Sequence, residues 1–141
     1  MGRILAIDYG LRRTGIAVSD PLRIIASGLE TVPTNQLDAW LANYMAKEVV
    51  DIIVVGKPTT VRGEASESFA AIAPFVERLR KTYPDKEIVF HDERFTSVLA
   101  HRAMIDGGMR KMQRRDKAVV DKISATIILQ SYMESRDYLE R

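Results

Sequence analysis

The chain predicts a mixed α/β domain: a five-stranded sheet that opens as an antiparallel meander, continues with helix-linked parallel strands, and carries helices on its faces. Three observations point there. The first third holds three β-like runs joined by short turns. Two later apolar runs, Asp51 to Gly56 and Glu87 to His91, are each reached through a stretch of helical periodicity. The 141 residues suffice for one core, so 1–141 reads as a single domain.

Ile4 to Ile7 is continuously apolar, as a strand buried on both faces should be. Asp8-Tyr9-Gly10-Leu11-Arg12-Arg13 reads as a turn, and Thr14 to Ser19 as the returning strand of a hairpin. Ile24 to Val32 predicts a third strand, interrupted by Gly28. Thr34 is placed to cap a helix whose inner face is Leu37, Trp40, Leu41, Tyr44 and Met45. The strand at 51–56 follows, parallel to its neighbour because a helix leads into it. Lys57 to Glu64 is a loop, with Thr59 and Thr60 as phosphate donors. A second helix faces inward through Phe69, Ile72, Ala73, Val76 and Leu79, and Pro74 predicts a kink or break in it. After the strand at 87–91, Thr96 caps a third helix that ends near Gly107-Gly108. Met109 to Lys117 is polar and basic. A last helix runs from about Ala118 to Tyr132, with Val119, Val120, Ile123, Ile127 and Ile128 as its apolar faces.

Composition narrows the function. There is no cysteine, which removes disulfides, zinc thiolate sites and a cysteine nucleophile. The chain starts directly on a strand, no signal peptide fits there, and no apolar run reaches membrane-spanning length, so no membrane partner is expected and the composition is compatible with a reducing cytosol. The net charge of +2 is unevenly spread. Arg94 to Lys122 holds eight Lys/Arg against three Asp, or +5, while the remaining 13 bases and 16 acids give −3. A local basic patch suits a phosphate backbone, although solvated charged faces are common in any protein.

Asp8 ends the first strand, Glu93 follows the fifth, and Asp121 opens the last helix. In the expected sheet, strands 1, 4 and 5 end at one edge, where open α/β sheets bind ligands. Asp8, Glu93 and Asp121 are therefore the candidate catalytic and metal-holding residues, since Mg²⁺ and Mn²⁺ prefer hard oxygen ligands. Each acid has a plain alternative as a turn residue, a strand-end charge or a helix-dipole partner. Asp121 is flanked by apolar residues and followed by small Ser124-Ala125, which favours close approach to the sheet. A fourth carboxylate is left open among Asp92, Asp20 and Asp116. Arg12, Arg13, Lys57, Arg94, Arg110, Lys111, Arg114, Arg115, Lys117 and Lys122 are the candidate nucleic-acid contacts. His91 and His101, the only histidines, form no triad with a serine and an acid.

Four segments resemble the YqgF family, also called RuvX-like Holliday junction resolvases or pre-16S rRNA nucleases. They are Ile7-Asp-Tyr-Gly-Leu-Arg-Arg-Thr-Gly-Ile-Ala17, Val55-Gly-Lys-Pro58, Asp92-Glu-Arg-Phe-Thr-Ser97 and Val120-Asp-Lys-Ile-Ser-Ala125. The resemblance covers essentially the whole chain. It implies a ribonuclease H-like fold, a Mg²⁺- or Mn²⁺-dependent nuclease with acids at Asp8, Glu93 and Asp121, and cytoplasmic trimming of the 5′ end of precursor 16S rRNA. Lys57 and Ser124 depart from the leucine and alanine common in the family. Structured RNA is the favoured partner and branched DNA the alternative, for a monomer or a homodimer. Junction resolution needs two coordinated cuts and so a dimer. A catalytically silent nucleic-acid-binding module is a third reading. A sugar-kinase or actin-like phosphate loop would need a second domain that 141 residues do not supply.

Overall fold

The computed structural model describes residues 2–57, 69–92 and 117–140. Five strands, β1 (Arg3–Asp8), β2 (Arg13–Ser19), β3 (Ala26–Pro33), β4 (Val50–Lys57) and β5 (Glu87–Asp92), form one sheet in the order β3-β2-β1-β4-β5. β1, β4 and β5 are parallel, whereas β2 and β3 pair antiparallel. This is the expected mixed sheet. Among the described residues three helices cover it: α1 (Leu37–Lys47), α2 (Phe69–Thr82) and α3 (Lys117–Glu140).

The central strand explains the layering. Ile4, Leu5, Ala6 and Ile7 are all buried, and alternation sends them to two cores. Leu5 and Ile7 join Ile53 and Val55 beneath Leu37 and Leu41 of α1 and Ile72, Phe75, Val76 and Leu79 of α2. Ile4 and Ala6 join Ala17, Ile52 and Val54 beneath Ala125, Ile128 and Leu129 of α3. The last helix therefore has one face of the sheet to itself among the described residues.

Several expectations are corrected. β3 begins at Ala26, because Ile24 and Ile25 belong to a turn. The Asp20 carboxylate accepts from both of their backbone N–H groups at 2.7 Å. Arg23 in that turn has φ 59°, a left-handed conformation. Gly28 does not break β3. Ile16 pairs with Glu30 and Ala17 with Gly28, so Leu29 is the extra residue of a bulge. Pro74 does not end α2, which runs through it with the ring on the exposed side. The buried stripe of α2 includes Phe75, and Ala73 is only half-buried. α3 extends to Glu140, and it turns Ser124, Ala125, Ile128 and Leu129 inward in place of Ile123 and Ile127. The expected helix after Thr96 and the basic segment at 109–116 lie outside the described residues.

Candidate active site at the carboxyl edge of the sheet

Parallel pairing brings the ends of β1, β4 and β5 to one edge, with Asp8, Lys57 and Asp92 as their last residues. Lys57 and Asp92 are register partners. Asp8 pairs with Gly15 of β2, which puts their Cα atoms about 4.5–5.5 Å apart. Directly opposed residues of an antiparallel pair share a face. Tyr9 goes the other way, stacking on Phe75 of α2 with ring centroids 4.7 Å apart. Asp8 is consequently directed to the α3 side, in line with Ile4 and Ala6.

Gly15 joins this strand to Asp121. A Cβ at Gly15 would run into the Asp121 carbonyl and lie 3.2 Å from Asp121 Cβ. The helix thus approaches the sheet so closely that only glycine fits beneath it. The small Ser124 and Ala125, both buried one turn later, permit that approach. Asp8 and Asp121 therefore flank one glycine on one face of the sheet. Two residues before Gly15 and on the same face, Arg13 donates from Nε to Asp121 Oδ2 at 2.9 Å. The acid side chain is 23% exposed and the arginine 39%.

The loop beyond Asp8 is fastened by residues that sequence reasoning assigned elsewhere. Thr34 has no capping bond. The first turn there is a 3₁₀ turn, Thr34–Gln36, that leads into α1. Its hydroxyl donates to the Gly10 carbonyl at 2.6 Å, and its N–H donates to the Arg12 carbonyl at 2.9 Å. A hydroxyl has one proton, so the buried Thr14 must be the donor in the 2.9 Å contact between the two threonines. No local signal reveals this clip, because Thr34 lies 24 positions from Gly10 and 20 from Thr14.

The other sequence candidates divide. Arg12 is exposed at the turn. The stem of Lys122 lies along β3, where a Cβ at Gly28 would stand 2.8 Å from Lys122 Cγ. Lys57 and Lys117 are placed by backbone at the end of β4 and the start of α3. Glu93, Arg94, Arg110, Lys111, Arg114 and Arg115 lie outside the described residues. Asp20 is excluded as a fourth acid, since it follows the far end of β2 and accepts from Ile24 and Ile25. His91 bonds Ser131 of α3 at 2.8 Å, a tie between strand and helix. Among the described residues no three metal-ligating side chains form a cluster.

An acid pair at the carboxyl edge of a five-stranded sheet, with the central strand first in the chain and a late helix crossing the meander, defines a ribonuclease H-like domain. The family model described as "RuvX: Holliday junction resolvase" matches residues 2–135, and this chain belongs to that family. It is a nuclease family, whose members hydrolyse phosphodiester bonds of nucleic acid. A protein of Phocaeicola vulgatus named "Putative pre-16S rRNA nuclease" is 58% identical over 139 residues, covering 99% of this chain and all of its own length. A protein of the same name from Bacteroides thetaiotaomicron is 54% identical over 138 residues, 98% of this chain and 100% of that one. The crystal structure of fowlpox virus resolvase with Holliday junction DNA superposes with a TM-score of 0.60 at 12% identity, covering 94% of this chain and 97% of the viral one. That likeness is one of fold.

Proposed function

We propose that this protein is a cytoplasmic, divalent-metal-dependent nuclease that processes the 5′ end of pre-16S rRNA. The observation that carries the site is the placement of Asp8 and Asp121 on either side of Gly15 at the carboxyl edge. The donor set fits Mg²⁺ or Mn²⁺: two hard carboxylates share one face, and one of them already holds a cationic group. Asp8 and Asp121 would hold metal, with Glu93 added from the family motif. Such ions, when bound, supply an activated water and charge for the leaving oxygen.

The rest falls to the chain itself. The threonine clip fixes the turn after Asp8, and Tyr9 on Phe75 fixes the face that Asp8 presents. Arg12, exposed at the turn, and Lys57, at the end of β4, hold the backbone of the substrate strand, with the bases of the 94–117 segment extending that contact. Names of the relatives support RNA as the substrate, and none of the described elements is a base-reading motif, which suits recognition by shape. The family description keeps a second reading alive, cleavage of four-way DNA junctions by a dimer.

A cleavage assay with Mg²⁺ or Mn²⁺ decides between them. Precursor 16S rRNA leader and a four-way junction are offered side by side to wild type, Asp8→Asn and Asp121→Asn. The expected result is cleavage of the RNA by wild type, lost by at least about 10²-fold in both variants, in keeping with the several kcal/mol a metal-held oxygen contributes. Cleavage of the junction alone transfers the proposal to recombination. Equal cleavage by wild type and Asp8→Asn overturns the site.

A further inference from the structure

We infer that Arg13 is a resident counter-ion of the metal site: its guanidinium occupies Asp121 when metal is absent and is displaced when a divalent cation binds. The inference rests on the reading of Asp8 and Asp121 as metal-holding acids and deepens it.

The two partners of this ion pair differ in freedom. Asp121 is held by its backbone. Its carbonyl sits on Gly15, and its helix is anchored one and two turns on by Ala125, Ile128 and Leu129. The carboxylate hangs from a single methylene and stays where it is. Arg13 is fixed in β2 through its register with Pro33, but its charged end is carried on a long, 39% exposed side chain. Such a side chain gains rotamer entropy when it lets go. If one partner must leave, it is the arginine.

Charge gives the pair its purpose. Asp8 and Asp121 flank the same glycine, so two like charges face one small region of the sheet edge. Like charges this close disfavour each other, and a cation between helix and sheet offsets that repulsion. A divalent ion would do the same with twice the charge. Metal and guanidinium are thus alternatives at Asp121. The displaced Arg13 remains at the substrate edge, where the next anionic group to arrive is a phosphate.

The test uses Mn²⁺ alone, without nucleic acid, titrated calorimetrically into the metal-stripped full chain. Arg13→Gln is expected to bind Mn²⁺ about threefold to fivefold more tightly than wild type, the scale of a half-exposed ion pair no longer competing. Arg13→Lys, which keeps the charge, is expected to return towards wild type. In wild type, Mg²⁺ should also move the Arg13 Nε–H resonance, identified by its loss in Arg13→Gln. Binding that requires Asp8 and Asp121 but is unchanged or weaker in Arg13→Gln overturns the counter-ion role and leaves the metal site standing. Binding absent from wild type, or indifferent to Asp8→Asn and Asp121→Asn, overturns the metal site and the counter-ion together.

Discussion

Among the described residues, the arginine–aspartate pairs Arg23–Asp51 and Arg13–Asp121 lie at opposite ends of the sheet, and they are built differently. At the far end Arg23 donates to Asp51 at 3.0 Å and to the Gly2 carbonyl at 3.0 Å, while the Gly2 N–H donates to the same Asp51 oxygen at 2.8 Å. That ring of bonds closes on itself. It holds Arg23 in its left-handed backbone conformation and ties Gly2, the residue before β1, to β4. At the carboxyl edge, Arg13 meets Asp121 through one bond, and the neighbouring group is another acid, Asp8. The first pair is satisfied by the backbone around it. The second is satisfied, among the described residues, by a side chain that can leave. A pair's distance therefore says little about its role, since 2.9 and 3.0 Å are the same hydrogen bond. What surrounds the carboxylate decides it.

The sharpest way to break this contrast is to move the scaffold under the carboxyl edge. Gly15→Ala places a methyl group against the Asp121 backbone, which no rotamer change relieves. It is expected to cost about 1–3 kcal/mol in chemical denaturation and to depress cleavage with it, because α3 must lift from β2. A smaller loss with full cleavage would show that the helix seats elsewhere.

Next come the two arginines. Arg23→Gln should cost about 1–2 kcal/mol, the worth of charge-assisted bonds in a half-buried network, and leave cleavage intact. Arg13→Gln in metal-free buffer should stay within about 1 kcal/mol of wild type. Equal stability losses for the two would dissolve the distinction between them.

The smallest effect is expected at Asp20. The Ile25 N–H is the foremost cause that holds its carboxyl below the ordinary value of 3.8; desolvation opposes this, and the Ile24 N–H adds to it. Its folded pKa is depressed, so its charge favours the fold above the unfolded value, and that contribution is lost as pH falls through the folded one. The melting temperature of wild type minus that of Asp20→Asn should therefore be slightly positive near neutrality and shrink below about pH 4. A difference that grows on acidification would contradict the turn.

Much of the fold was legible in the chain because its strands are extreme. Four apolar residues in a row at 4–7 have no solvated face to offer, and they became the central strand. The three helices among the described residues were placed correctly, and the inner face of α1 with them, but the faces of α2 and α3 were read only in part. Phe75 was missed because Ala73 continued the apolar stripe, and the long face of α3 was rotated because Ser124 does not look like a core residue until it lies against a sheet. Of the kink or break expected at Pro74, the break is absent. Asp8 and Asp121 were legible as acids at element ends, and the resemblance to a known family chose the same residues. Their meeting through Gly15 was not legible, since a glycine in a hairpin has an ordinary explanation. Nor was the bond from Arg13 to Asp121, which joins residues 108 positions apart.

That separation has a consequence for how the protein comes into being. The sheet is assembled from the first 92 residues, but among the described residues its second face is covered only when α3 arrives with Ala125, Ile128 and Leu129. Until then Asp8 stands without Asp121. A chain emerging from the ribosome thus completes its hydrophobic closure and its acid pair in one late docking step, with the high contact order that slows folding. The same event that buries this apolar surface brings Asp121 to Asp8, so on the proposed function a half-made copy would lack its acid pair.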